Sequence, residues 1–252
     1  MTRTANRIGY RTFLAAEIIL LLWFACTAFG QTMANKPRYV VRRAVAPIAI
    51  DGKIEAREWS PASPAIEFIF PWESQTGAKQ RTRARLLWDD RYLYVAYQCD
   101  DTDIVALTQG RDEFVYRDDT VEIFLNVKPS QTVAYYCLEI NALGTIMDYV
   151  CVDGKYYMRG FDLEGVKIGI QIDGTLNMRG DKDRSWSVEL AIPWRNFADM
   201  APPPRPGTVF TAELNRWDGV EPNRRLSVWV DPKLDWPHPH APKQFGELVF
   251  AK

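Results

Sequence analysis

The stretch Arg81-Thr82-Arg83-Ala84-Arg85-Leu86-Leu87-Trp88 decides the fold class of this chain. Arg81, Arg83 and Arg85 fall on one side and Thr82, Ala84, Leu86 and Trp88 on the other, the period of two expected of a half-buried strand. Asp89-Asp90 supplies a turn and Tyr92 to Cys99 a returning strand, so the whole reads as a β-hairpin. Outward from it the same alternation recurs in short segments broken by Gly, Pro, Asn and Asp. Strands are expected at Thr120 to Val127, Ala134 to Asn141, Thr145 to Cys151, Val166 to Ile172, Trp186 to Ile192, Thr208 to Arg216, Leu226 to Val230 and Phe245 to Phe250. Helix is confined to short turns at Glu55 to Trp59 and Trp194 to Met200, the second stopped by Pro202-Pro203-Pro204. The chain is therefore all-β, a sandwich or a barrel, and no repeat or Ser/Gly linker divides it.

Composition narrows the function classes. The chain has 252 residues, 47% hydrophobic and 25% charged, enough to bury one sizeable core. Lys plus Arg is 31 against 32 for Asp plus Glu, which leaves no basic excess to hold a phosphate backbone, so nucleic acid is excluded as a partner. Two His and no Cys-x-x-Cys spacing exclude the usual zinc frameworks.

Arg3, Arg7 and Arg11 precede an apolar run from Phe13 to Phe29, interrupted by Glu17 and followed by Ala28-Phe29-Gly30. Residues 1–30 read as a signal peptide, with a membrane anchor as the alternative for a run of that length. Cleavage leaves residues 31–252 as a secreted or periplasmic domain without a membrane segment. Cys99, Cys137 and Cys151 remain. Cys137 and Cys151 lie on two arms of a hairpin turning at Leu143-Gly144, either bridged or buried as free thiols.

Alternation also sorts the strands into faces. Val121, Ile123, Leu125 and Val127 share one face, and Glu122, Phe124 and Asn126 the other. Leu138 and Ile140 oppose Glu139 and Asn141, Leu214 opposes Glu213 and Asn215, and Leu226 and Val228 oppose Ser227 and Trp229. The polar faces combine carboxylates, amides and a Trp. Carboxylates and amides exchange hydrogen bonds with paired hydroxyls, and an aromatic ring stacks on the C–H face of a pyranose, so this combination suits a sugar. Trp72, Tyr116, Trp217 and Trp236 are further aromatics near these strands, whereas Trp59 and Trp88 lie on apolar faces and read as core.

The segments Ile48 to Trp59, Ala84 to Val95, Tyr116 to Phe124, Trp186 to Trp194 and Phe245 to Val249 occur in an order that resembles the family 9 carbohydrate-binding modules and their family 9-like relatives. The resemblance spans nearly all of the mature chain and implies a jelly-roll-like antiparallel β-sandwich. It also implies a sugar held between two aromatic rings at the positions of Tyr116 and Trp229, with Glu122 and Asn141 hydrogen-bonding beside them. One position departs: the family has Arg where this chain has Glu139, an acceptor in place of a bidentate donor. Arg111 makes up the loss if its loop folds back toward Tyr116, and Trp72 is a further candidate. Structural calcium is a second implication, for which Asp100, Asp101 and Asp103 offer hard ligands; a plain solvated acidic turn is the other reading.

The function expected is a non-catalytic carbohydrate-binding domain in polysaccharide breakdown, acting beside a separate glycoside hydrolase. The rivals are a hydrolase using Glu122, Glu139 and Glu213 as its carboxylates, a haem-binding sandwich with His238 or His240 as axial ligand, and a structural scaffold.

Overall fold

The computed structural model describes residues 36–252, and the expected leader at 1–30 lies outside them. In chain order the elements are β1 (Arg38–Arg43), α1 (Ala56–Trp59), β2 (Ile66–Glu67), β3 (Thr82–Trp88), β4 (Tyr92–Asp100), a 3-10 turn (Val115–Arg117), β5 (Thr120–Asn126), β6 (Ala134–Asn141), β7 (Ile146–Val152) and β8 (Tyr156–Met158). They continue with β9 (Lys167–Asp173), β10 (Ser185–Pro193), a second 3-10 turn (Trp194–Phe197), β11 (Val209–Asp218), β12 (Arg225–Val228) and β13 (Gly246–Phe250).

The hairpin expected from Arg81 to Cys99 is β3–β4, paired from Thr82 opposite Cys99 to Trp88 opposite Leu93. Asp89 makes its turn: Oδ1 accepts from the backbone N–H of Arg91 and of Tyr92, at 2.7 and 2.8 Å. The full strand path is β8-β7-β6-β5-β11-β13-β1-β3-β4-β10-β9, with β12 added to β11 and β2 to β3. The path curls so that two layers share one core. Val121, Ile123, Leu125, Leu138, Ile140 and Leu214 from one side meet Leu86, Trp88, Val95, Tyr97, Trp186 and Val188 from the other. Each such fully buried large apolar side chain contributes roughly 1.5–3 kcal/mol relative to exposure. Trp88 is in this core as the alternation implies, and Trp59 is buried in a smaller cluster with Leu87 and Tyr94.

β1 departs from the antiparallel pattern. Arg38 to Val41 run parallel to β13 and Arg42-Arg43 parallel to β3, so one short strand links the two layers. The sheet is therefore mixed, although every other strand ladder is antiparallel. A strand that passes from one layer to the other must pair with whichever neighbour each half meets, and here both run in its own direction. No helix among the described residues is long and apolar enough to cross a membrane.

Candidate functional site

The outer face of the β5-β6-β7 layer is not left to solvent. Phe124, Tyr135, Cys137, Met147, Tyr149 and Cys151 form a second buried cluster there with Phe245. The proline-rich loop before β13 covers it. His240 from that loop stacks on Phe124, with ring centroids 4.4 Å apart and planes 19° apart. The loop can lie this close because Gly154, in the β7–β8 turn at φ +70°, presents no side chain; a Cβ there would stand 2.3 Å from the carbonyl oxygen of His240.

Beside this loop a cavity of about 280 Å³ opens over the sheet. Glu122 and Glu139 lie at its floor, directly paired across the β5–β6 ladder and each 2% exposed. Tyr116, Trp217, Tyr149 and Tyr157 supply aromatic surface, Pro237 to His240 close one side, and Arg159 stands exposed at the edge. Arg224 fixes two of the rings from outside the lining, its guanidinium carbon 3.9 Å from the Trp217 ring centroid and 5.7 Å from that of Tyr116.

The floor carries protons. Burial, reinforced by the Glu139 carboxyl, holds Glu122 well above the usual carboxylate range, and burial pushes Glu139 up to about 7. Glu122 Oε2 accepts from Asn215 Nδ2 at 3.0 Å. Glu139 Oε1 accepts from the Tyr149 hydroxyl at 2.7 Å, while its Oε2 has no hydrogen-bond partner. Tyr149 also meets His240 Nε2 at 3.3 Å, and the Tyr135 hydroxyl meets His240 Nδ1 at 2.8 Å. With Tyr149 donating to Glu139, its oxygen accepts from Nε2–H, and Nδ1 accepts from Tyr135. Burial lowers the His240 pKa to about 3, so the ring is neutral. With both nitrogens engaged, it is not free to ligate a haem iron.

The structure brings together Tyr116, Glu122 and Glu139 and separates the other sequence candidates from them. Trp229 lies on the opposite side of its sheet: its N–H bonds the carbonyl of Leu214, its ring packs on the main core, and a Cβ on Gly246 would stand 2.6 Å from it. The strand thus alternates in the opposite sense to that expected, with Leu226 and Val228 facing outward beneath Trp72 in a separate apolar cluster. Trp72 itself is buried, its Nε1 donating to the Leu234 carbonyl at 2.8 Å. Asn141 has no capacity left for a ligand. Its Nδ2 donates to Thr108 O and Asp118 Oδ2, and its Oδ1 accepts from the N–H of Leu143 and of Thr145. Arg111 does not fold toward Tyr116, because buried Asp148 captures it, Nη2 meeting the two carboxylate oxygens at 2.7 and 2.8 Å. Glu213, the third carboxylate of the hydrolase reading, accepts from the Val230 N–H at 2.9 Å and is not in the cavity lining.

The acidic loop does not converge on a cation. Asp103 pairs with Arg179, and Asp100 is exposed. Asp101 instead joins Asp119 and Asp218 in a buried group, where Arg216, 0% exposed, donates to Asp101 Oδ2 at 2.8 Å and also to Asp218 Oδ1. The guanidinium sets one positive charge against the three carboxyls there and occupies one oxygen each of Asp101 and Asp218. Cys137 and Cys151 are buried free thiols, each paired across the ladder with a tyrosine, Tyr149 and Tyr135.

Trp217 was visible in the sequence as an aromatic beside a strand, and Met147 and Tyr149 share the face that the alternation of β7 defines. Tyr157, Arg159 and His240 reach the cavity through a short edge strand and a long loop, which no periodicity reveals.

Residues 50–252 match the family described as carbohydrate family 9 binding domain-like. Exoglucanase XynX of Acetivibrio thermocellus is 26% identical and endo-1,4-beta-xylanase A of Thermoanaerobacterium saccharolyticum 24% identical, each over 81% of this chain; the chain spans only 16% of either relative. A family 9 carbohydrate-binding module of Caldicellulosiruptor kristjanssonii, solved with cellotriose, superposes with a TM-score of 0.58 at 18% identity, covering 85% of this chain and 93% of that one. A carbohydrate-binding candidate from Bacteroides uniformis superposes with a TM-score of 0.70 at 17% identity, covering 85% of this chain and 99% of the other.

Proposed function

The chain belongs to the carbohydrate family 9 binding domain-like family, and from that premise we propose that it is an exported, non-catalytic domain that binds a sugar in the cavity flanked by Tyr116 and Trp217. The observation that carries this reading is the pairing of aromatic walls with a carboxyl floor. Rings cover the apolar C–H face of a pyranose, and Glu122 and Glu139 exchange hydrogen bonds with its hydroxyls. A protonated and an ionised carboxyl together offer one donor and several acceptors, matching hydroxyls that both give and take.

In this reading the domain serves polysaccharide breakdown and works beside a glycoside hydrolase, as befits a chain related to segments of an exoglucanase and a xylanase. Export rests on the arginines and apolar run of residues 1–30, and the mature chain is expected to begin at Gln31. N-terminal sequencing of exported material tests this, and a sequence starting at Met1 contradicts it. The binding reading is tested by a glycan array and by pull-down on insoluble polysaccharides. Retention on a glucan or xylan without release of reducing sugar supports it. Sugar release that disappears in Glu122→Gln supports the hydrolase reading instead.

A further inference from the structure

The two carboxyls at the cavity floor carry an unmet demand. Glu122 and Glu139 face each other across the ladder with almost no solvent access, and among the described residues no arginine or lysine pairs with either by a direct hydrogen bond or ion pair. Glu139 Oε2 is buried without any partner. Two buried acids side by side are stabilised either by keeping protons or by receiving a cation between them. The two nearby arginines act on the pair only through space. Arg159 is exposed, its guanidinium 4.7 Å from the Phe114 ring centroid, and Arg224 packs on Trp217 with Nε and Nη2 buried and unpaired; their charges favour the ionised carboxyls, but neither bonds Glu122 or Glu139.

The walls match the same demand. Tyr116, Trp217, Tyr149 and Tyr157 line the space above the acids, and aromatic faces attract a cation as well as a sugar ring. Burial of the pair, which holds both carboxyls above their ordinary range, is the cost that a bound cation would relieve.

Resting on the reading of this cavity as a sugar site, we propose that its preferred ligand is an amino sugar, whose protonated amine sits against Glu139 and Glu122 while its ring lies among the aromatic side chains. A hydroxyl in the same place meets only one acceptor well, and an N-acetyl group removes the charge and adds bulk over the acids.

Titration calorimetry of the mature domain with three β-1,4-linked oligosaccharides of equal length separates these cases: a glucosamine oligomer, its N-acetylated counterpart and a cello-oligosaccharide. The glucosamine oligomer is expected to bind at least about tenfold more tightly than either of the others. That preference should collapse in Glu139→Gln and in Glu122→Gln, both of which keep the side-chain shape. Binding of the cello-oligosaccharide with no preference for the amine, or a preference that survives in both variants, overturns this inference and leaves the sugar site standing. Binding of none of the three by the wild-type domain, together with a blank glycan array, overturns both.

Discussion

Glu122 on β5 stands directly opposite Glu139 on β6, both buried, with Asn215 hydrogen-bonded to the first and Tyr149 to the second. Like charges directly opposed across a ladder are destabilising. A fold that keeps them there ties its stability to their protons, and it places an acid pair under a cavity where a ligand can meet it.

The first consequence is a pH slope. Both carboxyls titrate above their unfolded value, so the folded chain holds protons that the unfolded chain releases. The contribution of Glu139 is complete below about pH 4.5 and is lost as pH rises through about 7, and that of Glu122, raised well above the ordinary range by burial, falls away in the same direction. For Glu139 the shift from 4.5 to about 7 corresponds to roughly 3 kcal/mol at the alkaline end. Thermal melts across this range should show a falling Tm in the wild type and a flatter curve in Glu139→Gln, which becomes the more stable protein when alkaline. Parallel curves would contradict the assignment.

His240 has the opposite linkage. Its folded pKa of about 3 lies below the ordinary 6.5, so its contribution is present above pH 6.5 and lost as pH falls toward 3. NMR of the histidine ring protons should find His240 neutral down to about pH 4, within the range where an unperturbed imidazole would have gained its proton. Titration of both histidines near the ordinary value would show that the loop does not pack on Phe124.

The two tryptophans on or beside β11 and β12 should separate cleanly. Trp229→Ala removes a ring packed on the core and over Gly246, and is expected to cost about 2–4 kcal/mol in denaturant unfolding. Trp217→Ala removes cavity wall and should spare most of that stability while weakening sugar binding. An unfolding midpoint unchanged in Trp229→Ala would place that ring outside the core after all.

Arg216 acts as an internal cation among Asp101, Asp119 and Asp218. Arg216→Ala leaves buried carboxylates uncompensated and should cost about 3–5 kcal/mol. Chelation with EDTA should leave the wild-type Tm where it was. A Tm that falls on chelation and recovers with calcium would mean that the acidic group holds a metal in addition to the guanidinium.

Much of the fold was legible because alternation is a local property. The β3–β4 hairpin and the core face of β5, with Val121, Ile123 and Leu125 inward, follow from period two alone. The parallel pairing of β1 was not, since it depends on contacts with β13 and β3, strands distant from it in sequence. Tyr116, Glu122 and Glu139, expected on one face, do line a single cavity. Trp229 turns inward against expectation because its strand carries Leu226, Val228 and Val230 on one side and Ser227 with a large apolar Trp229 on the other, so alternation fixes the period but not its sense. Asn141 is engaged in its hairpin turn, and a buried amide of that kind looks, in sequence, like one that awaits a ligand.

A sugar bound in the cavity flanked by Tyr116 and Trp217 must lose affinity when either ring is removed. The decisive measurement is titration calorimetry with the best array ligand on the wild type, Tyr116→Ala, Trp217→Ala and Trp229→Ala. An aromatic stack is worth about 0.5–1.5 kcal/mol beyond the area it buries, so each of the first two variants should bind about tenfold or more weakly. Folded Trp229→Ala should keep its affinity. Unchanged affinity in both Tyr116→Ala and Trp217→Ala, with loss in Trp229→Ala, would contradict the account and move the site to the other side of the sheet.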